Sequence, residues 1–356
     1  MSLRAALGVL AVVVCMNASV AGARAGSANA GLAGASPANP IASLPWGVYT
    51  GRQNNNVYPI WQRTAGPTKQ PLAKIALEPT VSWFGAWQAD TSAAASVREY
   101  IASTTQGNPN VLAQIAVFRL APWEGQACQA SWSASGQASY RAWIRGFAAG
   151  IGSSRVALIL QPDLAFAICA RSATPLRLVT WAARLFSALP HTSVYIDGGA
   201  RWFPMRTTQA VSMLAQAGIR YARGFALNTT EYDATGAELE YGAGIIHRLQ
   251  AAGYGSKHMV INTAENGSPF LNGQYPGDVT NPRACRSRHD RLCATLGIPP
   301  TTDVGNPRWG LSRRDRSLAR RYADAYLWIG RPWLAYGAAP FDMRRALALA
   351  ASTPLQ

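Results

Sequence analysis

A short apolar run from Val156 to Leu160 is the feature that most constrains how this chain folds. The run is too short for a helix and has no polar alternation, so it predicts a strand buried on both faces. Strands of that kind belong to parallel sheets or barrels. Pro162 cannot donate a ladder hydrogen bond and is expected to end the strand, which leaves Asp163 at its carboxyl end.

Asp163 is the first candidate for a catalytic side chain, because α/β sheets and barrels place their chemistry at the carboxyl ends of strands. Partial burial beside Leu164 and Phe166 would favour the protonated carboxyl. A carboxylic acid that keeps its proton near neutral pH can act as a general acid. An aspartate here can also cap the helix that follows, and spacing alone slightly favours the cap.

Strands and helices alternate along most of the chain, which predicts parallel β/α units and, with so many units and no break, a barrel. Besides 156–160, the predicted strands are 73–83 with a proline break, 111–120, 193–197, 221–227, 258–262 and 323–329. The predicted helices are 92–104, 139–150, 176–189, 207–217 and 236–252. The long segment 267–316, rich in Pro, Gly and Arg, is expected to form a lid or a binding wall.

The amino-terminal segment predicts export. Arg4, an apolar run from Ala5 to Val14 and an A-x-A site at Ala23 to Ala25 predict a secretory signal peptide over residues 1–25. Residues 26–38 predict a flexible lead-in, and 39–350 a single barrel domain. No later stretch is long enough to span a membrane, so we expect a secreted protein, extracellular or periplasmic.

The cysteines fit an oxidising compartment. One of the five, Cys15, lies in the predicted signal peptide. The other four are Cys128, Cys169, Cys285 and Cys293. An even number in an exported protein predicts two disulfides, although the count alone permits three pairings.

The chain is strongly basic, with a net charge of +16 from 33 basic and 17 acidic residues. The denser arginine segments, 283–291 and 313–321, lack the interleaved aromatic residues of a nucleic-acid module, so we expect no nucleic-acid partner. A solvated basic face is the simpler interpretation, and attraction to anionic cell-wall polymer is a weaker one. The 4 histidines are scattered without ligand spacing, so we expect no metal site and no cofactor.

Several dispersed phrases then resemble one enzyme family. They are VALILQPD, VYIDGGARW, ARGFALNTTEY, MVINTAENG, GIPPTT and DAYLWIGRP. Their order and approximate spacing are similar to those of glycoside hydrolase family 6, the cellobiohydrolases and endoglucanases that cut β-1,4-glucan, over roughly 39–337. The resemblance implies a distorted, incomplete, TIM-like β/α barrel with parallel strands, a sugar groove over the strand carboxyl ends, and hydrolysis with inversion.

The resemblance also implies roles for individual residues. Asp163 matches the family's general acid, and Asp197 matches an aspartate under the scissile sugar. The matches to the substrate groove are Trp83 and Trp202 as sugar-stacking rings, Asn228 as a polar residue, and Phe118 in place of a tyrosine. Cys128 and Cys169 match the family's first disulfide, and Cys285 and Cys293 are expected to pair locally because the family's other long-range partner is missing.

Several motif positions depart from the family. The departures are Gln161 for a glutamate before the acid, Ala127 for an aspartate that tunes it, Asn262 and Glu265 for an aspartate and an arginine, and the loss of a lysine, a glutamate and an aspartate from 330–337. Glu124 is the only carboxylate near Ala127 that could substitute as a catalytic group. The sequence therefore predicts a monomeric β-1,4-glucan hydrolase with weak or altered activity. The alternative is a glucan-binding relative that no longer turns over.

Overall fold

The computed structural model describes residues 38–120, 128, 131–204 and 206–355. The predicted signal peptide, the lead-in up to residue 37 and Glu124 lie outside these residues. Within them, seven strands form one sheet in chain order, and every neighbouring pair is parallel. They are β1 Ser82–Gly85, β2 Ala113–Phe118, β3 Val156–Leu160, β4 Thr192–Asp197, β5 Gly224–Leu227, β6 His258–Asn262 and β7 Ala323–Leu327.

The sheet curls so that its first and last strands approach one another. The backbone N–H of Val81 donates to the carbonyl of Trp328 over 2.9 Å. Beside it, the indole N–H of Trp83 donates to the carbonyl of Ile329 over 2.7 Å. The fold is therefore an incomplete, TIM-like barrel of parallel strands, which confirms the predicted fold class.

Helices follow most of the strands and cover the outside of the sheet. They are α1 Tyr58–Arg63, α2 Lys69–Ala76, α3 Ala93–Thr105, α4 Ala134–Ile151, α5 Thr174–Ser187, α6 Thr207–Gln216, α7 Thr235–Ala251, α8 Arg313–Tyr322 and α9 Met343–Ser352. The strand predicted over 73–83 is wrong in its first part, because Ala73–Ala76 ends α2 and buries Ile75 and Ala76 on one helical face. Only Ser82 onward is strand.

Both faces of the sheet are buried, which explains the unbroken apolar run in β3. Leu158 and Leu160 face outward and share a core with helix residues such as Phe147. The inner residues fill the barrel and belong to a second cluster: Trp83, Ala116, Phe118, Ala157, Ile159, Tyr195, Ala226, Val260, Ala325 and Leu327. The small residues among them let seven strands curl tightly around a packed interior.

A charged network closes the amino-terminal end of the barrel. The buried carboxylate of Asp324 accepts two hydrogen bonds of 2.9 Å from Arg223 and one of 2.7 Å from the hydroxyl of Tyr195. His258 Nδ1 lies 3.3 Å from the same carboxylate. Because these residues come from four neighbouring strands or their starts, the network stabilises the strand register at the end opposite the cleft described below.

The structure contains both expected disulfides. Cys128 pairs with Cys169, which joins the loop after β2 to the turn after β3. Cys285 pairs with Cys293 across a separation of 8 residues. Among the helices of the described ranges, none has the length and apolar character needed to cross a bilayer.

Candidate active site

A cleft of about 420 Å³ lies over the carboxyl ends of the strands. Its walls combine aromatic rings, carboxyl groups and arginines. The residues with side chains of these kinds are Trp83, Trp87, Phe118, Asp163, Phe166, Trp202, Glu231, Tyr232, Glu265, Arg331, Tyr336 and Arg345. This is the position at which barrels of parallel strands place their active sites.

Asp163 reaches the cleft through a strained turn after β3. Gln161 and Asp163 both adopt left-handed backbone conformations, with φ of 57° and 61°. Such conformations cost non-glycine residues about 1–2 kcal/mol each and persist where surrounding contacts enforce them. The buried side chain of Gln161 supplies such contacts, because its Oε1 accepts hydrogen bonds from the backbone N–H groups of Arg119 and Leu120 at 3.2 and 2.9 Å.

The side chain of Asp163 does not cap the turn that follows it. Asp197 takes that role instead, since its Oδ2 accepts a 3.1 Å hydrogen bond from the backbone N–H of Leu164. The hydroxyl of Thr230 donates a 2.7 Å hydrogen bond to Asp163 Oδ1. Asp163 is half-buried and lines the cleft, which removes the capping interpretation that the sequence left open.

Asp197 lines the same small pocket as Asp163 and is only 1% exposed. Its Oδ1 accepts a 2.8 Å hydrogen bond from the hydroxyl of Thr229. Burial raises the pKa of Asp197 to about 8, and the negative charge of Asp163 adds to that rise, while the hydrogen bonds from Thr229 and the backbone oppose it. The group is therefore mainly protonated at neutral pH.

Glu231 is a second carboxyl group on the cleft wall, in the loop after β5. Trp202 lines the same cleft, and its indole N–H can only donate a hydrogen bond. Burial raises the pKa of Glu231 well above its ordinary value, and the charge of Asp163 raises it further. The two carboxyl groups are thus electrostatically coupled across the cleft wall.

Glu265 lies deeper, after β6, and is 4% exposed. Its Oε1 accepts a 2.9 Å hydrogen bond from Asn262 Nδ2. Its carboxyl group lies directly over Gly330, where any side chain would collide with it. Burial raises the pKa of Glu265 to about 8, and the positive charges of Arg345 and Arg331 oppose the rise.

Aromatic rings form one continuous wall of the cleft. Trp83 and Phe118 meet edge to face with their ring centres 5.7 Å apart, and Trp87 lies 6.4 Å from Phe118. Trp87 is 52% exposed, whereas Trp83 and Phe118 are each 7% exposed. The guanidinium of Arg331 lies 5.2 Å from the centre of the Trp83 ring. Flat rings next to charged hydrogen-bond donors suit a sugar, which has apolar C–H faces and hydroxyl edges.

The structure brings four of the sequence-predicted residues together on the cleft wall: Trp83, Phe118, Asp163 and Trp202. Asn228 requires a correction. It was expected to be a polar groove residue, but its side chain is fully buried. Its amide donates to the carbonyls of Asp233 and Asn262 and accepts from the N–H of Asp233, so it holds the loop after β5 instead of facing the cleft.

Sequence reasoning assigned no site role to several wall residues, of which Glu231 and Glu265 matter most chemically. A usable signal was present, because each of these carboxyl groups lies at the end of its strand or closely after it. Asp197 ends β4, and Asp163, Glu231 and Glu265 come within four residues of the ends of β3, β5 and β6. The exposed rings of Trp87 and Tyr336 had no comparable signal.

The described residues contain no group of three or more His, Cys, Asp or Glu side chains that could hold a metal ion. The polar groups that line the cleft are carboxyl groups, threonine and tyrosine hydroxyls, an asparagine amide and arginines. A half-buried acid, further carboxyl groups around the cleft and aromatic platforms define a glycoside hydrolase type of site.

The chain belongs to family 6 of the glycosyl hydrolases, because the model of that family matches residues 49–346. Endoglucanase A of Cellulomonas fimi is 34% identical over 232 residues, which cover 64% of this chain and 47% of that protein. Endoglucanase 1 of Streptomyces halstedii is 31% identical over 243 residues, covering 65% of this chain and 68% of that protein. The chain thus spans about half the length of the first of these relatives.

A solved structure agrees with this assignment. The endoglucanase Cel6 from Mycobacterium tuberculosis, determined in complex with a thio-linked cellobioside derivative, superposes with a TM-score of 0.69 at 26% identity. The superposition covers 88% of this chain and 98% of that structure. The likeness therefore extends over most of this chain.

Proposed function

We propose that this protein is a secreted hydrolase of β-1,4-glucan that works by inversion, with Asp163 as the general acid. The observation that carries the proposal is the placement of Asp163, half-buried on the wall of a cleft lined by Trp83, Trp87 and Trp202. The two disulfides are consistent with an oxidising compartment and thus with secretion. The names of the relatives, endoglucanases, support the substrate class.

In this proposal, Asp163 donates its proton to the glycosidic oxygen as the bond to the anomeric carbon breaks. A water molecule attacks that carbon from the opposite face of the sugar, which inverts its configuration. The hydroxyl of Thr230 holds Asp163 Oδ1 at 2.7 Å, which fixes the direction of the carboxyl group. Asp197 is a positioning residue, because it fixes the Leu164 N–H next to Asp163 and does not line the cleft.

The aromatic wall binds the glucan chain on either side of the acid. Trp83 and Trp87 provide stacking surfaces on the β1 side of the cleft, and Trp202 provides one near Asp163 on the β4 side. Arg331, next to Trp83, offers donors to the sugar hydroxyls. Binding spread over several sugars suits a polymer substrate, since each ring contributes a modest stacking energy.

The test is the release of reducing sugar from a soluble cellulose derivative by the wild type and by Asp163→Asn, together with polymer binding by affinity electrophoresis. We expect activity in the wild type and a loss of at least about 10²-fold in the variant, with binding retained. Background release by both proteins, with binding retained, would contradict the proposal and identify a glucan-binding relative.

A further inference from the structure

The ring of Trp202 is carried into the cleft wall by a tight turn after β4. The backbone N–H of Ala200 donates to the carbonyl of Phe203 over 2.8 Å, and the N–H of Phe203 donates back to the carbonyl of Ala200 over 2.9 Å. These two hydrogen bonds close the four-residue β4 turn (residues 200–203), whose central residues are Arg201 and Trp202. Contacts that fix Arg201 therefore limit the freedom of its neighbour Trp202.

Arg201 fastens the β4 turn at two points. Its backbone N–H donates a 2.8 Å hydrogen bond to Glu238 Oε1 in α7. Its guanidinium group donates two hydrogen bonds to the carboxylate of Asp233, from Nε at 2.8 Å and from Nη2 at 3.2 Å. A forked pair of this kind fixes direction as well as distance, because two parallel hydrogen bonds allow less rotation than one.

Asp233 is held in place by neighbours other than Arg201. Its backbone carbonyl accepts hydrogen bonds from the side-chain amides of Asn266 and Asn228, at 2.8 and 3.3 Å. Its backbone N–H donates to Asn228 Oδ1 over 3.1 Å, and its Oδ1 accepts from the N–H of Ala234 over 2.7 Å. Asp233 is therefore a fixed point in the loop after β5, and Arg201 attaches the β4 turn to it.

The exposure of the two partners indicates which one depends on the other. The side chain of Asp233 is 4% exposed, whereas that of Arg201 is 45% exposed. A buried carboxylate is costly unless it is paired, so the pair is expected to persist although the arginine can reach solvent. Among the described residues that line the cleft, Trp202 is present and Arg201 is not. Any effect of Arg201 on a bound sugar therefore has to pass through the β4 turn.

We propose that Arg201 is a positioning residue that holds the Trp202 ring in the orientation needed to stack on a sugar. The inference rests on the proposed function, in which Trp202 is a stacking surface near Asp163. A ring that is already held in its bound orientation loses less freedom when the sugar binds. Asp163 keeps its own hydrogen bond from Thr230, so the contribution of Arg201 falls on KM and hardly on kcat.

A purely structural role is the alternative, because an arginine–carboxylate pair can stabilise two loops without affecting a particular ring. The two roles differ in what remains when the ring is removed. If Arg201 acts through Trp202, replacing it has no further effect on KM once Trp202 is alanine. If Arg201 stabilises the loops in general, the two changes add.

The experiment measures KM and kcat on cello-oligosaccharides for the wild type, Arg201→Met, Trp202→Ala and the double variant. Arg201→Lys keeps a positive charge but cannot form the forked pair. Arg314→Met is the matched control, because Arg314 pairs with Glu240 between exposed positions of α8 and α7. Circular dichroism and thermal melting check that each variant is folded.

Fluorine NMR of protein labelled with 5-fluorotryptophan supplies a second readout that needs no substrate. Each tryptophan gives its own signal, and the signal lost in Trp202→Ala identifies Trp202. Comparison of this signal between the wild type and the Arg201 variants reports directly on the surroundings and motion of the ring.

We expect Arg201→Met to raise KM by about 2- to 10-fold, the range of one aromatic contact, with kcat nearly unchanged. The Trp202 signal should shift or broaden in this variant, while the other tryptophan signals stay as in the wild type. Arg201→Lys should lie between the wild type and Arg201→Met in both readouts, and Arg314→Met should match the wild type. If Arg201→Met does not fold, Arg201→Lys serves for the same comparisons.

An unchanged Trp202 signal in a folded Arg201 variant would overturn the inference. So would an unchanged KM, a fall in kcat at constant KM, or additive effects on KM in the double variant. An inactive wild type would instead refute the proposed function, and the fluorine signal would still decide whether Arg201 positions the ring.

Discussion

Thr230 Oγ1 donates a hydrogen bond of 2.7 Å to Asp163 Oδ1. A donor at Oδ1 favours placing the proton of the neutral carboxyl group on Oδ2, and under the proposed function this bond would orient Asp163 toward the substrate. The neighbouring hydroxyl of Thr229 donates to Asp197 in the same way. Two adjacent threonines thus set the geometry of two aspartates from different strands.

Replacement of Thr230 by valine should therefore impair catalysis more than binding. Hydrogen bonds to charged groups are worth about 1.5–3 kcal/mol, which corresponds to a fall in kcat of roughly 10- to 100-fold. KM should change little, because Thr230 orients the acid. Steady-state kinetics on a soluble glucan provide the measurement. Thr230→Ser retains the hydroxyl and should stay near the wild-type rate, and equal losses in both variants would contradict this role.

Protein stability should decline as the pH rises from about 4 toward 8. The folded-state pKa values of Asp197 and Glu265 are each raised to about 8, whereas an unfolded carboxyl titrates near 4. The folded state therefore holds protons that the unfolded state has lost, and each group costs up to about 1.4 kcal/mol per pH unit in that window. Urea unfolding of the wild type, Asp197→Asn and Glu265→Gln at several pH values measures this slope. Both variants should show a shallower slope, and unchanged slopes would refute the assignment.

Asn262 and Glu265 should behave as a coupled pair. Asn262 donates to Glu265 and to the carbonyl of Asn228, both at 2.9 Å, and an aspartate could donate to neither when ionised. Asn262→Asp should therefore lower the free energy of unfolding by about 1–3 kcal/mol. Adding Glu265→Gln should recover part of that loss, because Gln can donate to the new carboxylate. A double-mutant cycle in urea gives the coupling energy, and strict additivity would contradict the pairing.

Trp87 should contribute to substrate binding more than to turnover. Its ring is 52% exposed on the cleft wall and is thus available for stacking on a sugar. Trp87→Ala should raise KM by roughly 2- to 10-fold, equivalent to about 0.5–1.5 kcal/mol, with kcat nearly unchanged. Tyr221→Ala, at a ring that is 40% exposed outside the cleft, is the control. A fall in kcat with constant KM would argue against a stacking role for Trp87.

A strand could be predicted from sequence where burial on both faces gives an unbroken apolar run. The predicted strand Val156–Leu160 is confirmed with the same bounds. Helix α8 was missed because its sequence is mainly basic. Only Ala319 and Tyr322 are buried in it, so it carries no apolar periodicity. Its start depends on a hydrogen bond from the Asp315 N–H to the hydroxyl of Ser312. The strand prediction was wrong over residues 73–76 because a short apolar run fits either a helix or a strand.

The candidate site was predictable only where its residues follow a strand that the sequence defines. Asp163 follows a strand that the sequence defines clearly, so its place at the cleft could be inferred. Glu231 depends on how the loop after β5 turns at Asn228, and the left-handed conformation of that residue is not encoded in any local pattern. The position of the Glu265 side chain depends on its fit over Gly330, which lies 65 residues further along the chain and so gives no local signal.

The central claim, that Asp163 supplies the proton to the leaving oxygen, is tested most directly by varying the leaving group. The measurement is the rate of Asp163→Asn relative to the wild type on an unmodified cello-oligosaccharide and on a dinitrophenyl cello-oligosaccharide. We predict a loss of at least about 10²-fold on the first substrate and less than about 10-fold on the second, because dinitrophenolate departs without protonation. Equal losses on both substrates, or no loss on the first, would contradict the account.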